Sequence, residues 1–190
     1  MTREEAGKKI ILALDMSDVD TAYGIVEEFS DFVGMFKIGF EFVWGAFSRL
    51  VSPDAPPKQA KCDLENIRAL FKAIDGRIFL DAKFFDIPRT VRRAICAMIA
   101  LLNARFITIH ASAGEETIMN ASIFSQQTIF SRQTKILAVA ILSSMSKRDM
   151  NRVFDNGKTV EENVLRLLRS AKKAGAHGAI GSTSAAWRAR

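Results

Sequence analysis

Asp81, Lys83 and Asp86 fall close together in the stretch RIFLDAKFFDIPRTV, Arg77–Val91. Side chains alternate along a strand, so Asp81 and Lys83 are expected on one face. Asp86 follows in the loop leading to Pro88. An ammonium flanked by carboxylates is favoured in its charged form. The same array would repel a substrate carboxylate brought beside it, and it could hand a proton to a carbon left negative nearby. Those are the needs of a decarboxylation that leaves an unstabilised carbanion. The bland alternative is a surface ion pair at a strand end, of a kind that contributes only ~0–1 kcal/mol. A bare D-x-K-x-x-D does not choose between the two.

Other candidates stand at similar places. Asp15 ends the run IILALD and could bind a ligand or cap the following turn. Lys37 sits inside the apolar run GMFKIG, where an unpaired ammonium would be costly, so a partner carboxylate is expected. His110 ends RFITIH without metal-ligand spacing around it, which favours a hydrogen-bonded structural histidine. His177 reads as a surface residue. Ser143 and Ser144 follow KILAVAIL and are of a type common in ordinary turns. The Phe-rich segment MFKIGFEFVWGAF reads as core and helix packing, not as an aromatic platform for bases.

These residues need elements to hold them. Six short apolar runs read as strands: Ile10–Asp15, Gly34–Gly39, Arg77–Lys83, Arg105–His110, Lys135–Leu142 and His177–Ser182. Amphipathic segments lie between them. DVDTAYGIVEEFSDF carries Ala22, Ile25, Val26 and Phe29 on one face, with Ser17 or Asp18 as N-cap. LENIRALFKAI repeats Leu64, Ile67, Leu70, Phe71 and Ile74. PRTVRRAICAMIALL opens on Pro88, whose missing N–H costs nothing in a first turn. VEENVLRLLRSAKKAG ends at Gly175, a usual stop. Val51–Asp63, with three of the four prolines, reads as a surface loop.

Strand–helix alternation with apolar strands indicates a parallel α/β sheet buried on both faces. Asp15, Lys37, Asp81 with Lys83, His110 and the serine pair all lie at or near the ends of successive strands. That placement favours a barrel mouth, and the first strand lacks the G-x-G-x-x-G of a dinucleotide fold. One domain, residues 1–190, is expected. Six strands are visible where a closed barrel needs eight and about 250 residues. The chain therefore reads as a barrel incomplete at its C-terminus.

Composition sets wider limits. The chain has 190 residues, 48% hydrophobic and 25% charged, as an ordinary globular domain would. It contains nothing like the ~18 apolar residues in a row that a membrane span needs. MTREEAGKKIILALD reads as the approach to a strand and not as a signal peptide. Cys62 and Cys96 show no metal spacing, which fits a reducing, cytoplasmic setting. The formal charge of +6 is spread along the chain, with short clusters such as RTVRR and SKRDMNR, so nucleic-acid binding is the weakest candidate.

FLDAKFFDIPRTV resembles the signature of orotidine 5′-monophosphate decarboxylases, D-x-K-F-x-D-I-P-N-T-V. IILALD, MFKIGFEFV, ITIHASAG, LAVAILSSM and AGAHGAIGS are similar to further strands of that family, collinearly from Ile10 to Ser182. The resemblance implies a (β/α)8 TIM barrel of the ribulose-phosphate-binding type, with about six βα units present here. It also implies a cofactor-free, metal-free homodimer in the cytoplasm that converts orotidine 5′-monophosphate to UMP and CO2 in pyrimidine biosynthesis. On it, Lys83 would protonate C6, and Asp81 would crowd the substrate carboxylate and hold Lys83. Asp86 and Thr90 would serve the neighbouring subunit's site. Asp15 and Lys37 would bind the ribose hydroxyls, and Ser144, less readily Ser143, the pyrimidine edge.

Three departures stand out: Phe85 in place of histidine, Arg89 in place of asparagine, and ASAG where A-x-G-G is usual. The family's phosphate-gripping loop after strand seven and its arginine after strand eight have no counterpart in these residues. Little turnover and poor solubility are therefore expected of this chain alone. The related Mg2+-dependent 3-hexulose-6-phosphate synthases share D-x-K-x-x-D but not the FFDIPRTV continuation. A non-catalytic remnant of the barrel is the remaining alternative.

Overall fold

The computed structural model describes residues 2–54, 56–127 and 134–181. Contacts group the chain into two compact units, Met1–Ala82 with Leu101–Phe106, and Lys83–Ala100 with Ile107–Arg190.

The first unit opens with a short helix, α1 (Arg3–Gly7), whose Thr2 and Glu5 form a reciprocal capping box. Then come β1 (Ile11–Ala13), α2 (Val19–Phe29), β2 (Met35–Gly39), α3 (Phe40–Val51), α4 (Pro57–Ala73) and most of β3 (Ile78–Phe84). The three strands lie in chain order and parallel. Register sets Ala13 opposite Lys37 and Gly39 opposite Asp81. Leu14, Val26, Phe36, Ile38, Phe42, Leu70, Ile74 and Ile78 are fully buried or nearly so, and they form this unit's core. Asp18 is the cap of α2, accepting from the Thr21 amide at 2.8 Å.

Two expectations are corrected here. The expected loop Val51–Asp63 is helical from Pro57 onward, because proline at a first-turn position gives up no hydrogen bond. The Phe-rich segment is only partly core: Phe36 and Phe42 are buried, whereas Phe40, Trp44 and Phe47 are exposed along α3.

Placing residue 63 in a helix gives it a partner. Asp63 is buried, and Arg49 donates to it at 2.6 Å while also reaching Asp18 at 2.9 Å. One guanidinium thus ties α3 to the cap of α2 and to α4. Gln59 gives Asp63 a second donor at 3.1 Å. Arg49→Met should leave a buried carboxylate with that weaker donor, at a cost of about 3 kcal/mol read as a drop in urea midpoint. An unchanged midpoint would show that the Arg49 contacts contribute nothing.

The second unit holds most of α5 (Pro88–Leu102) and of β4 (Phe106–His110), with α6 (Glu115–Gln127), β5 (Lys135–Val139), α7 (Lys147–Phe154), α8 (Val160–Lys173) and β6 (Gly178–Ile180). Its strands also follow chain order, with β5 and β6 parallel and Leu137 opposite Gly178. Val91, Ile95, Ile99, Ile107, Ile109, Ile118 and Ile136 fill its core. Thr159 and Glu162 cap α8 reciprocally, and Gly175 takes φ +89° just beyond that helix, a conformation that suits glycine. Ser182 lies outside the described residues. Among the described residues no helix is long and apolar enough to cross a membrane.

Candidate active site

Within the first unit, three predicted residues meet. Lys37 lies mid-strand in β2, and its ammonium donates to Asp15 Oδ1 at 2.6 Å. Asp81 of β3 is 3.7 Å from the same ammonium. Exposure differs sharply: the Asp15 side chain is 56% exposed, that of Lys37 21% and that of Asp81 13%. The partner carboxylate expected for a lysine in an apolar strand is thus present twice. β1 ends at Ala13, and the Leu14 amide bonds the Lys37 carbonyl at 2.9 Å, which brings Asp15 out over β2. This arrangement can hold a positive charge against hydroxyls or a carboxylate.

Within the second unit, Lys83 is half-buried near the end of β3, and its backbone amide donates to Thr108 Oγ1 at 2.8 Å. Its φ is +42°, so strand alternation is not what aims its side chain. Asp86 is exposed, and its Oδ1 accepts from the next amide, Ile87 N–H, at 2.6 Å. Thr90 is exposed in the first turn of α5. Ser143 and Ser144 lie in an exposed turn beyond β5, closed by the Met145 amide on the Leu142 carbonyl at 3.0 Å.

His177 departs from expectation, and His110 sits as a packed residue at its strand end. His110 is half-buried at the end of β4 and packs edge-on against Phe85, ring centroids 5.8 Å apart. Burial, and then the nearby Lys83 charge, push its pKa below the ordinary imidazole value. His177, expected at the surface, is half-buried: Nδ1 accepts from the Ile136 amide at 3.1 Å and Nε2 faces the Gln126 amide group. Burial and the Lys135 charge lower its pKa too.

Both imidazoles therefore stay neutral in the folded chain at pH values where an unfolded histidine, near 6.5, takes up a proton. Below that value the unfolded chain binds more protons, so stability falls with pH until the lower folded values are passed. A lower urea midpoint at pH 5.5 than at 7.5 is expected, with a smaller drop in His110→Gln. Equal drops in the two proteins would remove His110 from the account.

Thr108 was not singled out in the sequence. The available signal was a hydroxyl in the middle of FITIH, at a position that proves fully buried. Among the described residues no group of three or more His, Cys, Asp or Glu is arranged to hold a metal.

Comparisons with known proteins bear on the family and the fold. Residues 8–190 match the family described as orotidine 5′-phosphate decarboxylase / HUMPS. The orotidine 5′-phosphate decarboxylase of Geobacter sulfurreducens is 33% identical over 183 residues, covering 96% of this chain and 69% of that protein. That of Prochlorococcus marinus is 31% identical over 175 residues, covering 90% of this chain and 64% of that protein. The chain thus spans about two thirds of the length of the curated relatives it matches. The crystal structure of the Lactobacillus acidophilus orotidine 5′-phosphate decarboxylase superposes with a TM-score of 0.70 at 28% identity, covering 91% of this chain and 70% of that one. This likeness bears out the α/β barrel class, with six strand-led units in these residues. With the family match running over nearly every residue, the chain belongs to the orotidine 5′-phosphate decarboxylase / HUMPS family.

Proposed function

We propose that this chain carries the decarboxylating machinery for orotidine 5′-monophosphate, releasing CO2 and UMP in pyrimidine biosynthesis in the cytoplasm. The observation that supports it best is the Asp15–Lys37–Asp81 network, in which a largely buried carboxylate lies beside an ammonium that a second carboxylate also holds. In the reaction the bond from C6 to the carboxylate carbon breaks and its electron pair stays on C6. CO2 departs, and the Lys83 ammonium gives a proton to C6; the neutral amine regains one from water. Asp81 acts before that step, because its negative charge raises the energy of the bound carboxylate more than that of the transition state. Asp15 and Lys37 bind the ribose hydroxyls, and Ser144 the pyrimidine edge.

Asp86 and Thr90 serve the site of a second copy in a homodimer. Support comes from the residues flanking Asp86: Phe85 and Ile87 are each 64% exposed, an apolar pair suited to burial against a partner. No cofactor takes part. The single-domain organisation over 1–190 belongs to the same reading.

The experiment is a titration of the isotopically labelled chain with orotidine 5′-monophosphate, with and without chelator. Signals of Asp15, Lys37, Asp81 and Lys83 should move in both cases, and CO2 release, however slow, should vanish in Lys83→Ala. A response only to a hexulose phosphate with Mg2+ would transfer the chain to the aldolase branch of the family. Silence toward both would leave a non-catalytic remnant.

A further inference from the structure

Lys83 belongs to β3, yet its backbone is not that of a strand. An extended φ is near −120°, so the observed +42° differs by roughly 160°. That rotation about N–Cα swings the side chain in a different direction from the one strand alternation would give. A non-glycine residue in the left-handed region persists where its surroundings over-determine it, and such residues cluster at functional sites. The hydrogen bond from the Lys83 amide to Thr108 Oγ1, 2.8 Å long, supplies such a constraint.

Thr108 suits that role. It is fully buried at the centre of β4, between the fully buried Ile107 and Ile109. A β-branched side chain has few rotamers in a strand, so the hydroxyl oxygen stays where the amide needs it. Its same-face neighbour two residues on, His110, packs against Phe85, two residues beyond Lys83. β4 therefore grips the end of β3 at two levels: a hydrogen bond to the backbone at 83 and a ring contact at 85.

We propose that Thr108 is a positioning residue for Lys83: its hydroxyl oxygen holds the lysine backbone in the left-handed turn from which the ammonium meets the substrate. The mechanistic part of this rests on the assignment of Lys83 as proton donor; the structural part does not.

Two variants test it. Thr108→Val keeps the shape and removes the acceptor, whereas Thr108→Ser keeps the acceptor. In Thr108→Val the Lys83 amide should exchange with solvent at least tenfold faster, and the Lys83 α- and β-carbon shifts should move toward strand values. Thr108→Ser should restore exchange to within threefold. Turnover should follow, with kcat down at least tenfold and KM within twofold in the valine variant, and both recovered in the serine variant.

Lys83 carbon shifts and exchange that are unchanged in Thr108→Val would overturn the proposal, whatever happens to stability. Should that variant not fold, the unsubstituted chain decides. Strand-like Lys83 shifts, or an amide exchanging as freely as in an unfolded chain, would overturn it equally. Lack of turnover in every form, unsubstituted chain included, would instead count against the decarboxylase reading, with the Lys83 signals still deciding the role of Thr108.

Discussion

Lys83→Ala should lower the decarboxylation rate of the chain by at least about 10³-fold, within the range that loss of a positioned proton donor produces. Its effect on folding should be small, because alanine at φ +42° meets the same backbone restriction as lysine. Lys83→Gly should lose as much activity yet gain stability. A left-handed backbone costs an L-residue about 1–2 kcal/mol, and glycine escapes that cost. Glycine's freer unfolded chain returns part of the gain, leaving about 0.5–1 kcal/mol. For a chain of this size that is a rise of about 1–4 °C in Tm. Opposite signs in activity and stability at one position are the mark of a site where strain serves function. Thermal melts of the three proteins, beside CO2 release, check both halves. A Lys83→Gly chain less stable than the unsubstituted one would mean that the left-handed backbone stores no energy.

The parts of the fold that were readable from sequence are those where one face is plainly apolar. Five of the six strands lie within the runs marked out by their aliphatic residues, β3 overruns its run by one residue at Phe84, and α5 spans Pro88–Leu102 as its pattern and leading proline indicate. Three helices show no such face: α1 buries none of its residues, and α6 and α7 hide theirs. The buried face of α6 is built from Thr117, Ile118, Ala121, Ser122 and Ser125, small and polar enough to hide the helical period. In α7 the buried residue is Met150 alone, and a Ser146–Asp149 cap marks its start. Asp63 was misplaced because prolines suggested a loop where Pro57 in fact begins a helix.

Site residues divide in the same way. Lys37 could be paired with a carboxylate by reasoning alone, since an ammonium within an apolar strand demands one. Asp15, just beyond β1, and Asp81, in β3, meet that demand. The left-handed turn at Lys83 was not readable: alternation assumes an extended backbone, and nothing in DAKFF marks the departure. Nor was Thr108 as its anchor, because a hydrogen bond between residues 25 positions apart leaves no local pattern.

Lys37→Met carries the second large effect, this time on the first unit. The methionine keeps the aliphatic bulk in β2 and deletes the charge between Asp15 and Asp81. Asp15 is more than half exposed, so losing its partner there costs ~1 kcal/mol or less. Asp81 is only 13% exposed, and an under-paired charge at that depth is the larger loss. Fully buried pairs cost about 3–5 kcal/mol when one partner is removed, and the partial exposure of both groups brings this to about 2 kcal/mol. Salt screens the ion pairs of the unsubstituted chain but takes nothing comparable from the variant, so its deficit should shrink as salt is added. If Lys37 donates to ribose as proposed, its loss should also weaken orotidine 5′-monophosphate binding about 10- to 100-fold. Urea unfolding at pH 7 in low and in high salt, with substrate titration in low salt, measures all three. A deficit that stays constant with salt would mean that lost packing, and not the deleted charge, explains it, and Lys37 would then hold neither Asp15 nor Asp81 to any useful degree.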